Sequence, residues 1–191
     1  MNNETLIRAE NIAFKINGNK LFHNLSFALE KGEALQIVGS NGSGKSTLIR
    51  IILGITKQTK GNVNYKNNIN VSYLGHKNAL KSYLSVYDNL MLQELNNHKE
   101  LNILLERLEL KNFLDVTVGN LSYGQQKKLA MLRVFLNESN LIVLDEPFVG
   151  LDSKAFDIVQ DFLIKEINSG KSLIFTSHID CNIESKILNL R

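Results

Sequence analysis

Residues 39 to 47 read GSNGSGKST, and few folds accommodate such a segment. It fits the pattern G-x-x-x-x-G-K-[ST], in which glycines let successive backbone N–H groups turn inward towards phosphate oxygens. It follows the apolar run ALQIVG and precedes STLIRIILG, whose apolar spacing and closing Gly54 predict a helix that ends at a glycine. A strand before and a helix after are the context that this motif requires, so a chance turn is the weaker interpretation. The sequence therefore predicts an α/β phosphate-binding domain.

The side chains of this segment suit the phosphates of a nucleotide. We expect Lys45 to bring a movable positive charge to the terminal phosphates and the Ser46 hydroxyl to ligate Mg²⁺. The predicted phosphate site consists of Gly39, Ser40, Asn41, Gly42, Ser43, Gly44, Lys45, Ser46 and Thr47.

A second chemical signal lies in LIVLDEP, where Asp145 and Glu146 follow an apolar run that predicts a strand. Ligands of open α/β sheets gather at the carboxyl ends of the strands. We expect Asp145 to hold Mg²⁺ through a water and Glu146 to act as general base on an attacking water. Pro147 prevents the strand from continuing. Without the phosphate loop, a solvated acidic pair would be the better interpretation.

His178 and Asp152 each leave two interpretations open. His178 follows the apolar run SLIFTS, so it is either a local hydrogen-bonding residue or a contact to the terminal phosphate or the attacking water. Three strand ends that meet at one sheet edge favour the second interpretation. Asp152 precedes a helical pattern, where a helix N-cap is as good an interpretation as a role at the nucleotide. We expect His23 and His98 to be surface residues.

The composition limits the cellular locations and the binding partners that we expect for this chain. The chain of 191 residues is 43% hydrophobic and 21% charged, which suits a single domain over residues 1–191. A net charge of +3 without a basic cluster argues against nucleic acid as the main partner. A single cysteine, no charged-then-apolar leader and no apolar run of about 18 residues predict a cytosolic chain that does not itself span a membrane.

The rest of the pattern predicts the remaining elements. Short alternating runs near the start favour strands, and the leucine spacing between Val86 and Asp115 favours helices. From Leu141 onwards, apolar runs alternate with a helical pattern, which is typical of parallel strands with crossover helices. The polar stretch LSYGQQKK, residues 121 to 128, has almost nothing to bury and stands where a helix begins, so it predicts an anion site at a helix N-terminus.

In their order along the chain, these motifs resemble those of the ATP-binding subunits of ABC transporters, from Leu6 to Ile187. GSNGSGKST is similar to the Walker A loop, LSYGQQKK to the signature, LIVLDE to Walker B, GLD to the D-loop with Asp152, and TSH to the H-loop. The resemblance implies a P-loop NTPase with a RecA-like core, an antiparallel β subdomain, and an α-helical subdomain at about 77–135. It also implies ATP hydrolysis with Mg²⁺.

The same resemblance implies a second copy of the chain. The signature residues of one copy would contact the γ-phosphate of ATP held by the phosphate loop of the other; they are Ser122, Tyr123, Gly124 and Gln125. Tyr123 stands where the family usually has glycine. A soluble ABC ATPase of DNA repair or translation is a weaker interpretation, because those chains usually join two cassettes or insert a long coiled coil. A module that no longer hydrolyses ATP is opposed by the intact Lys45, Asp145, Glu146 and His178.

Within this family, the chain resembles the CcmA-type ATPases of the haem exporter in cytochrome c maturation. Most family members have a glutamine that contacts Mg²⁺ where His76 stands here, and the pair GH, Lys81 and DNL resemble the CcmA type. The resemblance implies haem export or haem delivery, CcmB-type and CcmC-type membrane permease partners, and a peripheral location at the cytoplasmic face of the bacterial inner membrane. The alternative is another small exporter, for drugs or polysaccharides.

Adenine recognition departs from the family pattern. Such ATPases often stack adenine on an aromatic residue near the end of the first strand, where this chain has Ile16. Phe14 is either a core residue, which we favour, or a stacking residue. The resemblance therefore implies loosely held adenine.

Overall fold

The structure, a computed structural model, describes residues 4 to 16 and 18 to 190. Its elements in chain order are β1 (Thr5–Ile16), β2 (Asn19–Glu30), β3 (Ala34–Val38), α1 (Lys45–Ile52), β4 (Lys60–Tyr65), β5 (Val71–Leu74), α2 (Val86–Leu92), α3 (Leu101–Arg107), α4 (Tyr123–Leu136), β6 (Leu141–Asp145), α5 (Ser153–Asn168), β7 (Ser172–Thr176) and β8 (Lys186–Asn189). Two single-turn 3₁₀ helices, Lys111–Phe113 and Val118–Asn120, lie between α3 and α4. The ends of the predicted domain 1–191 lie outside the described residues.

The strands form two sheets. An antiparallel sheet has the order β2-β1-β4, and a parallel sheet has the order β5-β6-β7-β3-β8. Every residue of β6 and β7 is buried, because both faces of the central parallel strands are covered. The predicted α/β fold with a parallel sheet and an antiparallel subdomain is confirmed.

The order of the parallel sheet brings the chemical motifs together. Strands β6, β7 and β3 occupy its three central positions, side by side. Parallel strands end at the same edge, so the segments that follow these strands must meet there. Those segments are the phosphate loop after β3, Glu146 after β6, and His178 after β7.

Alternation along β6 divides the interior into two cores. Leu141 and Val143 face a core shared with α1 and the antiparallel sheet. Ile142 and Leu144 face the other core, which α2 to α5 cover. Because side chains of a strand alternate between its faces, one apolar strand serves both cores. Helix α1, which follows the phosphate loop, and helices α2 to α5 therefore pack on opposite faces of the same sheet.

The middle of the chain is more broken than its leucine spacing predicted. Between Val86 and Asp115, where the leucine spacing predicts helices, α2 and α3 have seven residues each and are joined by turns. Left-handed residues close both helices: Glu94 has a φ of 58° and Glu109 a φ of 61°. The proposed subdomain limits of about 77–135 stay a prediction.

The helix after the phosphate loop ends as the sequence predicts. Gly54 has a φ of 70°, and its N–H donates to the Ile51 carbonyl oxygen at 3.0 Å. Within the described parts of the chain, every helix is too short or too polar to cross a bilayer.

Candidate active site

A cleft of about 460 Å³ opens at the carboxyl edge of the parallel sheet. It is lined by Ile16, Leu21, Asn41, Gly42, Gly44, Lys45, Ser46, Thr47, His76, Asp145, Glu146, Val149 and His178. Residues from four separate predicted motifs therefore lie around one cleft: the phosphate loop, the acidic pair, His178 and His76.

Lys45 is the cation of this cleft. Its side chain is buried, and Nζ donates to the carbonyl oxygens of Gly39 at 2.8 Å and Ser40 at 3.3 Å. Nζ also lies 3.0 Å from Nε2 of His178. An ammonium group has no acceptor site, so Nε2 accepts this bond and the His178 proton is on Nδ1. The phosphate loop and the segment after β7 are thereby connected across the cleft.

Two glycines of the loop are required by close contacts. A methyl group built on Gly44 would meet Cδ2 of Leu21 at 2.6 Å, and Gly44 has a φ of 101°. A methyl group on Gly39 would meet Oγ of Ser43 at 2.5 Å and the Leu190 carbonyl oxygen at 2.9 Å. Larger residues would deform the loop at both positions.

Thr176, the last residue of β7, supports both acidic residues. Its hydroxyl donates to Oδ1 of Asp145 at 2.8 Å and accepts from the Glu146 N–H at 2.9 Å. Asp145 and Thr176 are direct partners in the β6–β7 register, which explains the contact. The sequence analysis missed Thr176; its one signal is a hydroxyl residue at the end of a strand two positions before His178.

Glu146 has an oxygen free to accept a proton. The His178 N–H donates to Oε2 at 3.3 Å, whereas Oε1 lies 3.5 Å from Nε2 of His178. That second distance is too long for a useful hydrogen bond, and Oε1 is buried without a hydrogen-bond partner among the described residues. Glu146 also has a φ of 53°, a left-handed backbone that is rare outside glycine. A carboxylate oxygen that lacks a partner beside the phosphate loop suits a water molecule.

The candidate Mg²⁺ ligands are oxygen donors of the type that this ion prefers. Ser46 and Asp145 line the same cleft, and Asp145 is 3% exposed. Thr176 engages Oδ1 of the carboxylate. The donor set therefore fits a magnesium ion held by a hydroxyl and a carboxylate, directly or through water.

The signature residues lie outside this cleft. Ser122 caps α4: its hydroxyl accepts from the Gln125 N–H at 3.2 Å, and the Gln125 side chain accepts from the Ser122 N–H at 2.9 Å. The capping box leaves the N–H groups of Tyr123 and Gly124 at the helix N-terminus without an intrahelical partner. Tyr123 is 46% exposed. One copy of the chain therefore presents these N–H groups outside its own cleft.

The expectation that LSYGQQKK buries almost nothing is wrong for its two lysines. Lys127 is 1% exposed and Lys128 is 7% exposed. Burial lowers the pKa of Lys127, and the charges of Asp145 and Glu146 act in the opposite direction. Burial of a lysine depends on tertiary packing, so a polar sequence gives no sign of it.

Asp152 serves as the N-cap of α5, one of its two predicted roles. Its Oδ1 accepts from the Ala155 N–H at 2.8 Å, and its Oδ2 lies 2.6 Å from Nζ of Lys128. The bond from Lys128, followed by the Ala155 N–H, lowers the pKa of Asp152. Asp152 does not line the cleft; its role at a nucleotide stays a prediction.

The residues near the predicted adenine site are aliphatic. Ile16 is 47% exposed and lines the cleft with Leu21. Phe14 instead packs against the buried Phe22, with ring centroids 6.3 Å apart, and is itself partly buried against the core. Of the two other histidines, His23 is exposed as expected.

His98 differs from the expectation, because it is half-buried. Its Nδ1 accepts from the Glu100 N–H at 3.2 Å.

This fold and this cleft define a P-loop nucleoside triphosphatase. The family model described as ABC transporter matches residues 22–149. The chain is 34% identical to "Cytochrome c biogenesis ATP-binding export protein CcmA" of Idiomarina loihiensis, over 92% of this chain and 87% of that protein. It is 32% identical to the protein of the same name from Brucella abortus, over 95% of this chain and 89% of that protein.

A solved structure has the same fold. The ATP-binding cassette MJ0796, in a dimeric post-hydrolysis state bound to ADP and Pi, has a TM-score of 0.83 and 24% identity, over 97% of this chain and 94% of that one. The chain belongs to the ABC transporter ATP-binding family, and it is an ATPase subunit close to CcmA. Subunits of this family dimerise and work with membrane permease subunits.

Proposed function

We propose that this chain is the ATP-hydrolysing subunit of a transporter that exports haem, or drives haem delivery, across the bacterial inner membrane for cytochrome c biogenesis. The observation that carries the proposal is the similarity, over more than nine-tenths of the chain, to several cytochrome c biogenesis export proteins named CcmA. His76 supports it, because a histidine lines the cleft where most family members have glutamine.

The chemistry is attack of water on the terminal phosphate of ATP, which yields ADP and phosphate. Lys45 binds the terminal phosphates after it leaves the carbonyl groups of Gly39 and Ser40. Its departure also frees Nε2 of His178 for the γ-phosphate or the water. Glu146 accepts the proton of the water through the oxygen that has no partner among the described residues.

Magnesium belongs to the same site. Ser46 and Asp145 would hold it, and the bound ion neutralises charge that develops on the phosphate oxygens. Thr176 keeps the Asp145 carboxylate in place through its hydroxyl. The protein would supply a hydroxyl and a carboxylate as oxygen donors to this ion.

Each complete site needs two copies of the chain. The four signature residues Ser122, Tyr123, Gly124 and Gln125 lie away from their own cleft, and the helix that they begin offers free N–H groups to an anion. The γ-phosphate on the other copy is such an anion. ATP then holds two copies of the chain together, and hydrolysis removes the γ-phosphate contact that joins them.

The membrane permease docks on the surface around α2. Four large apolar side chains are exposed there: Tyr83, Tyr87, Met91 and Leu92. The opposite face of α2 is fixed by Asn89, which is 2% exposed and bonds both the N–H and the carbonyl oxygen of Lys81. This surface follows the loop that carries His76, so a helix of a CcmB-type subunit that contacts it connects the membrane to the cleft. CcmC-type proteins complete the assembly at the cytoplasmic face of the inner membrane.

Deletion of the chain from its host tests the proposed cargo. We expect covalent haem to disappear from c-type cytochromes while non-covalent b-type haem stays at its normal level. A plasmid copy of the wild-type chain must restore the c-type signal. If the deletion strain keeps its c-type cytochromes, the transporter moves another molecule.

A further inference from the structure

The first turn of α4 packs directly on the segment that follows the acidic residues of the same chain. A methyl group built on Gly150 would meet Cδ1 and Cε1 of the Tyr123 ring at 2.4 and 2.6 Å. A methyl group built on Gly124 would meet the Gly150 carbonyl oxygen at 2.5 Å. Gly150, although exposed to solvent, is therefore in contact with both the Tyr123 ring and the α4 backbone at Gly124.

A second contact joins the same two elements. Nζ of Lys128 lies 2.6 Å from Oδ2 of Asp152, and the Lys128 side chain is only 8% exposed. Asp152 also caps α5. The segment from Glu146 to Asp152, which we call the linker segment, is thus held to α4 at Gly150 and again at Asp152.

The linker segment leads straight into the cleft. Val149, next to Gly150, lines the cleft, and so does Glu146 at the other end. Phe148 between them is 1% exposed and packs against Phe156, with ring centroids 4.7 Å apart. Glu146 and Gly150 both have left-handed backbones, at φ values of 53° and 82°. Only three residues separate Glu146 from Gly150, and the one in the middle is packed in the core, so the contact at Gly150 limits the positions open to the segment that carries Glu146.

We propose that Tyr123 is a positioning residue for Glu146 of its own chain. This inference rests on the proposed function, in which residue 123 belongs to the signature that faces ATP on the other copy. The ring acts in cis: it holds Gly150, and through the linker segment it sets the position of the Glu146 carboxylate. ATP that contacts the signature of one chain at one site thereby aligns the carboxylate of that chain at the other site.

Mixed pairs of full-length chains separate this role from a direct contact between Tyr123 and the partner's ATP. In the first pair, one chain carries Tyr123→Ala and the other carries Lys45→Ala. The one intact phosphate loop then works with Glu146 of the Tyr123→Ala chain and with an unaltered signature. In the second pair, both changes are on one chain, so the intact loop works with the altered signature and an unaltered Glu146 segment. The reference pair joins a wild-type chain to a Lys45→Ala chain.

We expect the first pair to hydrolyse ATP at least about threefold more slowly than the reference, because small misplacements of a catalytic group reduce its rate. The second pair, whose altered signature faces the intact loop, should hydrolyse ATP faster than the first pair. Tyr123→Phe in the first pair should restore the rate, since the ring atoms make the contact. The reverse order of the two pairs, or equal rates in all three, overturns the proposal.

If Lys45→Ala in one chain abolishes hydrolysis at both nucleotide sites, the mixed pairs give no rates to compare. A fluorescence measurement then tests the proposal. The sequence has no tryptophan, so Tyr123→Trp introduces a single reporter at the contact with Gly150. ATP added to the monomeric chain, with the monomer verified by light scattering, should change its emission, and Lys45→Ala should remove that change. Unchanged emission with bound ATP overturns the proposal. Failure of the proposed function looks different, because the deletion strain then keeps its c-type cytochromes while the purified chain still binds and hydrolyses ATP.

Discussion

Replacing Thr176 with valine tests the support of the two acidic residues. The side chain is fully buried, and valine has nearly the same shape without the hydroxyl. The change removes the bond to the Asp145 carboxylate at 2.8 Å and leaves the Glu146 N–H without its acceptor at 2.9 Å. A hydrogen bond to a charged group contributes about 1.5–3 kcal/mol, and an unsatisfied buried donor costs about 1–3 kcal/mol. We expect the free energy of unfolding to fall by about 2.5–6 kcal/mol.

Thr176→Ser is the matched control. It keeps the hydroxyl and loses one buried methyl group, which costs about 0.5–1.5 kcal/mol. Urea unfolding followed by circular dichroism should therefore place the valine midpoint clearly below the serine midpoint. ATP turnover should fall at least about tenfold in the valine variant, since Glu146 loses a backbone anchor, while the serine variant stays near wild type. Equal midpoints and equal turnover for the two variants would refute the role of the hydroxyl.

Four further outcomes are expected. Lys45→Ala should abolish ATP binding, measured by calorimetry; retained affinity would contradict its role at the phosphates. Ser122→Arg should abolish turnover and keep the ATP affinity of the monomer, so a loss of affinity would contradict a contact across the interface. Ile16→Tyr should tighten ATP binding about threefold to tenfold, because the tyrosine ring stacks on adenine. Unchanged affinity would contradict the placement of adenine against Ile16. Lys128 lowers the pKa of Asp152. The ion pair between the two side chains therefore stabilises the fold above about pH 4, and this stabilisation is lost as acid protonates Asp152. Asp152→Asn should therefore lose less stability than wild type between about pH 5 and pH 2, and parallel acid unfolding curves would contradict this.

The parts of the site that follow a strand could be predicted from sequence. The loop that carries Lys45 follows one apolar strand and Glu146 follows another, and the parallel sheet brings such positions to one edge. The motif chemistry then names the ligand, because glycines, a lysine and a hydroxyl in this spacing have few other uses. For these residues, the local sequence was sufficient for the prediction.

Features that depend on distant packing escaped prediction. The contact of Thr176 with Asp145 requires the β6–β7 register, which the sequence alone does not specify. Lys127 reads as a solvated residue, yet the surrounding core covers it completely. Glu94 and Glu109 end helices in a left-handed conformation that is usually assigned to glycine, so the leucine spacing overestimated the helical length. The role of the signature residues also does not follow from the packing of one chain, because their proposed ligand is bound to a second chain.

The most direct test of the proposed function is a haem-stained denaturing gel of membranes from host cells in which Glu146→Gln replaces the native chain. The variant should keep ATP binding and lose hydrolysis, because glutamine cannot accept the proton of the water. If the ATP cycle drives haem delivery, the bands of covalently attached haem disappear while membrane-bound b-type haem stays. Bands of normal strength from cells that contain the variant protein would contradict the account, and would show that its transporter carries something else.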